Sequence, residues 1–288
     1  MSKKRAFFLL LALLFLTSIV FGLISSIILK EVSIFNKIGV IPIEGIISDS
    51  YEITSQIEEF RKNDSIKAII IRINSPGGAV APTQEIYREI RKTAKEKPVV
   101  ASIGSIGASG GYYIASAATK IVANPGTITG SIGVIMNFVQ IDELLKKLGI
   151  RLSVIKTGEF KDIGAPYRKM TQREKELIRD MLMEVKEQFV KAVAQARGIP
   201  VEEVEKIADG RIILGSQAKR LGLVDELGNF QDAVELAKKL ANIKGEVRLV
   251  YPKSYRFSIL RRLIDGIFGK LMYYGFYVGY IATLRTDS

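Results

Sequence analysis

Val99-Val-Ala-Ser-Ile-Gly-Ser-Ile-Gly-Ala-Ser109-Gly-Gly-Tyr-Tyr-Ile-Ala-Ser-Ala-Ala118 is the stretch whose reading decides the fold. Its first five residues form an apolar, β-branched run of strand length, its middle is rich in glycine, and Ser109 to Ala118 is an apolar run with helical composition. The stretch therefore reads as a strand, a tight turn and a helix. Similar short apolar runs recur at Ile38 to Ile43, Ala68 to Ile73, Lys120 to Ala123 and Leu152 to Ile155, each read as a strand. Amphipathic stretches lie between and beyond them at Tyr51 to Lys62, Thr83 to Lys95, Ile141 to Leu148 and Thr171 to Arg197. The last of these opens with a Thr171-x-x-Glu174 capping box and stops at Gly198, and Pro200 starts the next helix. Strands alternating with crossover helices predict a layered α/β fold.

Three glycine-rich segments each follow a predicted strand: Asn74-Ser-Pro-Gly-Gly78, Gly107-Ala-Ser-Gly-Gly111 and Thr129-Gly-Ser-Ile-Gly133. In open α/β sheets, sites are built in loops beyond the carboxyl ends of strands. Each segment taken alone also reads as an ordinary tight turn. The second says more, because Ser109 stands between small residues at a helix start, where free backbone N–H groups favour a developing negative charge. The plainer reading of Ser109 is a helix N-cap.

The 288 residues include no Cys and no His, which excludes disulfides, thiol nucleophiles and imidazole chemistry. An activated nucleophile must then be Ser or Thr with an amine base, a carboxylate, or a group on an oxygen-ligated metal. Lys161, in the polar loop Lys156-Thr-Gly-Glu-Phe-Lys-Asp162, is the amine candidate. Lysine is protonated in water, so it serves as a base only where desolvation lowers its pKa. A solvated surface charge is the alternative for such a residue. The formal charge of +12 is spread along helices whose Lys and Arg alternate with Glu, so nucleic acid is not expected as a partner.

The ends differ from the middle. Residues 1–5 are basic, and Ala6 to Leu29 is charge-free and long enough for a transmembrane signal anchor. The positive flank predicts a cytoplasmic N-terminus and an extracytoplasmic body at the cell membrane; a cleaved signal peptide is the rival reading. Residues 30–250 form the catalytic domain on this division. The segment 251–288 is an apolar, aromatic tail, read as a membrane-interfacial or oligomer-contacting element.

Taken together, Asn74 to Gly78, Gly107 to Tyr113, Thr127 to Gly133, Thr157 to Asp162, Asp209 to Gly215 and Leu221 to Asp225 resemble the short, single-copy form of the signal peptide peptidase A family, within the ClpP and crotonase-like fold group. The resemblance implies a membrane-bound serine endopeptidase that uses a Ser-Lys dyad and no cofactor or metal. Ser109 would be its nucleophile, Lys161 the general base and Ser131 a hydroxyl orienting the amine. Gly110 and Gly78 would form the oxyanion hole, with Gly77 as the alternative to Gly78. The implied substrates are cleaved signal peptides and other hydrophobic peptides, and the implied assembly is a homo-oligomeric ring or dome in which serine and lysine can come from different subunits. The rivals are a crotonase-type hydratase, a non-catalytic membrane scaffold and a related protease acting on stomatin-like membrane proteins.

Overall fold

Isoleucine and valine alternate in orientation along the central strands, and that alternation sets the layers. In the computed structural model, which describes residues 13–22, 36–252 and the backbone of 277–281, β1 (Asn36–Ile47), β2 (Ile66–Ala79), β3 (Val99–Ala108) and β4 (Lys120–Ala123) pair in parallel in that order. Ile38, Val40, Ala68, Ile70, Val100 and Val122 face one side, where Ala233, Val234, Leu236 and Ala237 of α9 (Phe230–Leu240) cover them. Ile41, Ile43, Ile69, Ile71 and Ile73 face the other and pack with residues of α2 (Tyr51–Lys62), α3 (Val80–Thr93), α4 (Gly110–Ser116) and α6 (Gln172–Arg197). A parallel sheet buried on both faces requires this composition of both sides of its strands. The layered α/β expectation holds.

Outer strands extend the sheet. β9 (Val247–Val250) pairs with β1, and β8 (Glu226–Leu227) with β4, both in parallel. Past a register shift between Ile73 and Ser75, the far ends of β2 and β3 acquire different neighbours. β3 pairs there with β5 (Ile128–Gly130), which pairs with β7 (Ile212–Leu214). The end of β2 pairs antiparallel with β10 (Tyr277–Ile281), which in turn pairs with β6 (Ile135–Asn137). α5 (Asp142–Lys147), α7 (Val201–Glu205) and α8 (Gly215–Arg220) complete the order.

Several expectations need correction. Leu152 to Ile155 is irregular: Leu152, Val154 and Ile155 are 59%, 46% and 100% exposed, so their alternation marks apolar surface without a sheet edge to pair with. α3 starts at Val80, ahead of Thr83, because Pro82 falls in the first turn, where its missing N–H breaks no helical bond. Pro200 caps α7 and is not its first residue. Of the expected anchor, residues 13–22 form an exposed helix, α1, and the rest lies outside the described residues. Among the described residues no helix is long and apolar enough to cross a membrane. Of the aromatic tail, 277–281 is a strand of the chain's own sheet; residues 253–276 and 282–288 lie outside the described ones.

Candidate active site

The two candidate serines follow directly on a pair of strands in register. Ala108 at the end of β3 is opposite Gly130 at the end of β5, so Ser109 and Ser131 leave neighbouring strands side by side. The N–H of Ser109 donates to the carbonyl of Gly130 at 2.8 Å, and that of Ser131 to the carbonyl of Arg211 at 2.8 Å. Both have left-handed backbones, φ 53° and 51°. Among the described residues only Asn242 shares this feature without being glycine. Such a conformation costs about 1–3 kcal/mol and persists only where surrounding structure enforces it; here paired strands enforce it at two serines together.

Ser109 is 1% exposed and its Oγ has no hydrogen-bond partner among the described residues. Its carbonyl accepts from Tyr113 N at 2.8 Å, opening α4, but its hydroxyl caps nothing. The N-cap alternative is thereby removed: the residue occupies the cap position without the capping bond. Behind it, Tyr112 and Tyr113 are buried, and burial raises both phenols, Tyr113 to about 12.

Space requires glycine at Gly78 and is tight at Gly110, the two oxyanion candidates. A side-chain carbon on Gly78 would lie 2.0 Å from the Ile47 carbonyl oxygen, and one on Gly110 would lie 3.1 Å from Gly78 N and 3.2 Å from Gly77 Cα. Gly78 and Gly110 therefore meet at one corner beside Ser109. Gly77, the alternative, has φ 109° and stands one residue further back.

Ser131 opens onto a cavity of about 620 Å³ lined by Val134, Ile135, Met170, Ile178 and Leu182 among others. Its loop is backed by the Asp209-Gly-Arg211 turn, whose Gly210 N–H donates to the Ile132 carbonyl at 3.0 Å while the Arg211 carbonyl accepts from Ser131. The motif from Asp209 to Gly215 thus has a supporting role that its sequence does not signal, because β5–β7 pairing creates it.

Lys161 does not join the group. It is exposed, and the unpartnered Ser109 Oγ rules out a hydrogen bond between them within the chain. Its loop is nevertheless well held. Arg168 Nη2 is 2.7 Å from Asp162 Oδ1, Arg168 Nη1 is 2.8 Å from Glu174 Oε2, and Lys156 Nζ is 2.6 Å from Asp162 Oδ1. Glu159 is paired with Arg173 at 3.0 Å. The carboxylates nearest Lys161 in sequence, Asp162 and Glu159, are thus engaged by other cations, and among the described residues Lys161 forms no ion pair. The hydrogen bonds from Arg168 and Lys156 hold the Asp162 carboxyl well below the usual range, and those from Arg168 and Thr171 lower Glu174 to about 2. No cluster among the described residues could hold a metal.

Comparison with known proteins gives the family. The model of peptidase family S49 matches residues 91–244, and that of Clp protease matches residues 24–127. A Methanocaldococcus jannaschii protein named as a protease is 39% identical over 223 residues, 77% of this chain and 69% of that one. Protease 4 of Haemophilus influenzae is 34% identical over 224 residues, 74% of this chain and 36% of that one. The chloroplastic serine protease SPPA of Arabidopsis thaliana is 37% identical over 193 residues, 67% of this chain and 28% of that one.

Proposed function

We propose a mechanism on the premise that the chain belongs to peptidase family S49 and is a serine peptidase. The observation that carries it is Ser109: buried, held at φ 53°, and presenting a hydroxyl with no partner among the described residues beside the Gly78–Gly110 corner. Ser109 Oγ adds to a peptide carbonyl carbon while its proton passes to the neutral amine of Lys161. The carbonyl π pair moves onto oxygen, where the N–H groups of Gly78 and Gly110 stabilise it. Collapse expels the amine with the proton from lysine, and water then hydrolyses the acyl-enzyme by the same route. Ser131 orients the lysine amine, as a carboxylate orients histidine in a triad.

Because Lys161 and Ser109 are apart within one chain, we assign the lysine to the serine of a neighbouring copy. Leu144, Leu148, Ile150, Leu152 and Ile155 are each 49% exposed or more and precede the Lys161 loop, so an apolar face for a second copy adjoins the base. Covering that face would also desolvate the amine, the condition for its pKa to fall.

The substrate is an extended hydrophobic peptide. β10 lies antiparallel to Gly77–Ala79 on one side and to β6 on the other, with Tyr280 opposite Gly78. Main-chain edges that accept a strand of this chain can accept a peptide in the same manner, by strand addition. Cleaved signal peptides fit this description. A membrane anchor through residues 6–29, of which α1 is the described part, would hold the site at the outer face where such peptides concentrate.

Fluorophosphonate labelling at Ser109, absent in Ser109→Ala, tests the nucleophile. The pH profile of kcat/KM on an uncharged ester tests the base: activity should rise with pH, because only neutral lysine accepts a proton and its pKa starts near about 10.4 before desolvation lowers it. Burial raises the Tyr113 phenol to about 12, above the ordinary lysine value from which the base starts. Full activity persisting to pH 5 would remove lysine from the mechanism.

A further inference from the structure

Four threonines are buried among the described residues, Thr83, Thr93, Thr127 and Thr129. Three of their hydroxyls are bonded in the ordinary way. Thr93 Oγ1 donates to the Glu89 carbonyl one turn back at 2.8 Å, Thr127 Oγ1 to the Gly104 carbonyl at 2.8 Å, and Thr129 Oγ1 to the Gly107 carbonyl at 2.7 Å. Thr83 is different. It is 0% exposed, it sits in the first turns of α3 with the Ala79 carbonyl as its natural acceptor, and its Oγ1 has no hydrogen-bond partner among the described residues. A threonine in a helix normally back-bonds in this position.

Ser109 Oγ and Thr83 Oγ1 are the two buried serine or threonine hydroxyl oxygens left without a partner among the described residues. Ser109 directly precedes Gly110 in the chain, and Thr83 packs against that same glycine. A side-chain carbon on Gly110 would lie 3.0 Å from Thr83 Oγ1 and 3.1 Å from Gly78 N. The hydroxyl thus shares a wall of Gly110 with the Gly78 N–H. Backbone N–H groups are donors and offer the hydroxyl no acceptor. An oxygen entering this corner would be an acceptor for the Thr83 hydroxyl and for the N–H groups of Gly78 and Gly110. The register of β10 indicates how one arrives, since an extended chain on this edge brings a peptide group opposite Gly78.

We propose that Thr83 is a further catalytic residue of the acyl-transfer site, and that its hydroxyl donates a hydrogen bond to the substrate carbonyl oxygen as that oxygen becomes tetrahedral. This rests on the reading of Ser109 as the nucleophile. In the addition step the Ser109 Oγ–C bond forms, the carbonyl π pair becomes the oxyanion, and the serine proton leaves to the amine base. Thr83 keeps its proton throughout and supplies one donor that is unused among the described residues. An unpaired buried hydroxyl is unfavourable for folding. Its presence beside the nucleophile is accounted for if the bond it lacks is made only during turnover.

Thr83→Val tests this with the side-chain shape preserved, in the full-length chain in detergent, on a soluble ester and with a fluorophosphonate. The expected result is a fall in kcat of about 100-fold, the scale for losing one side-chain donor to an oxyanion. KM should change little, fluorophosphonate acylation should slow in parallel, and thermal stability should be equal or higher because an unpaired hydroxyl has been removed. Thr83→Ser, which keeps the hydroxyl, should restore most of kcat. Wild-type kcat in Thr83→Val overturns the proposal, as does a loss of stability that accounts for the activity lost. If Thr83→Val fails to fold, a kcat in Thr83→Ser as low as that of Thr83→Ala overturns it too. Ser109→Ala assayed alongside separates the two readings. Undiminished turnover there removes the nucleophile itself, whereas an inactive Ser109→Ala beside a fully active Thr83→Val removes only the role of Thr83.

Discussion

The serine half of the site and the lysine half are built by different means. Ser109 is fixed by buried strand pairing: β3 and β5 bring Ala108 and Gly130 together, α4 follows, and the core packs around Tyr112. Lys161 belongs to an irregular surface loop held by ions, with Arg168 joining Asp162 and Glu174. The core-built half can hold a left-handed serine and an unpartnered hydroxyl, because the surrounding fold is stable enough to sustain local strain. The ion-held half is exposed and incomplete in one chain. The contrast teaches that a preformed serine does not by itself bring a base: on the proposed mechanism, assembly has to deliver and desolvate the lysine.

The sharpest way to break that comparison is complementation. Ser109→Ala and Lys161→Ala should each lose essentially all turnover, since nucleophile and base act as one unit. Mixed and reassembled in equal amounts, they should regain up to about one quarter of wild-type activity if each site takes its serine and lysine from adjacent copies in a heterologous ring. No recovery, in a mixture shown to exchange subunits, would mean that lysine and serine pair within one chain after a rearrangement of the 156–168 loop.

Ser131 lies between the two halves. It has the left-handed backbone of the buried half and opens onto the cavity beside α6, which begins where the ion-held loop ends. Ser131→Ala should lower kcat by about 10- to 1000-fold, as expected for losing an orienting bond while keeping the proton acceptor. A loss as complete as that of Lys161→Ala would give Ser131 a proton-transfer role of its own. A smaller effect is expected from the strand that occupies the cleft. Cutting the chain before Tyr277 removes β10 from the Gly77–Ala79 edge, and KM for an extended peptide should fall a few-fold while kcat on a small ester is unchanged. An unaltered peptide KM would show that peptides bind elsewhere.

Much of the buried half was legible in sequence because its causes are local. β-branched runs specified β1 to β4, the Thr171-x-x-Glu174 box marked the start of α6, and Gly198 ended it with φ 65°. The convergence of Ser109, Ser131, Gly78 and Gly110 was legible only through the motif resemblance, since strand register brings together residues distant in the chain. The β10 pairing was not legible: it joins the tail to Gly77–Ala79 across the whole domain, and nothing local in an aromatic segment specifies a partner. Leu152 to Ile155 misled for a related reason, because alternation marks a strand only where an edge is free to receive it. α9 carried an Asn229-x-x-Asp232 box of the kind that identified α6, so its start was readable from local signals.

The finest test of the comparison is acid, which should loosen the ion-held half before the buried one. Glu174 is 1% exposed and accepts from Arg168 and from Thr171 N at 2.8 Å each, so its carboxyl falls to about 2 in the folded protein, against about 4.3 in an unfolded chain. A carboxylate with a depressed folded pKa contributes stability that is fully present above the unfolded value and is lost as pH falls through the folded one. The window is therefore from about pH 4.3 down to about 2. Asp162, lowered first by Arg168 and then by Lys156, adds to the loss in the same direction. Arg168→Gln should be less stable at pH 7, because it leaves a buried carboxylate short of its partner. It should also lose less on acidification, because the shift that creates the pH dependence has been reduced. Melting temperatures of the two proteins, measured from pH 7 to pH 2, should therefore converge by about 2–4 °C for each kcal/mol of linkage removed. Parallel curves would place the acid sensitivity in other carboxylates.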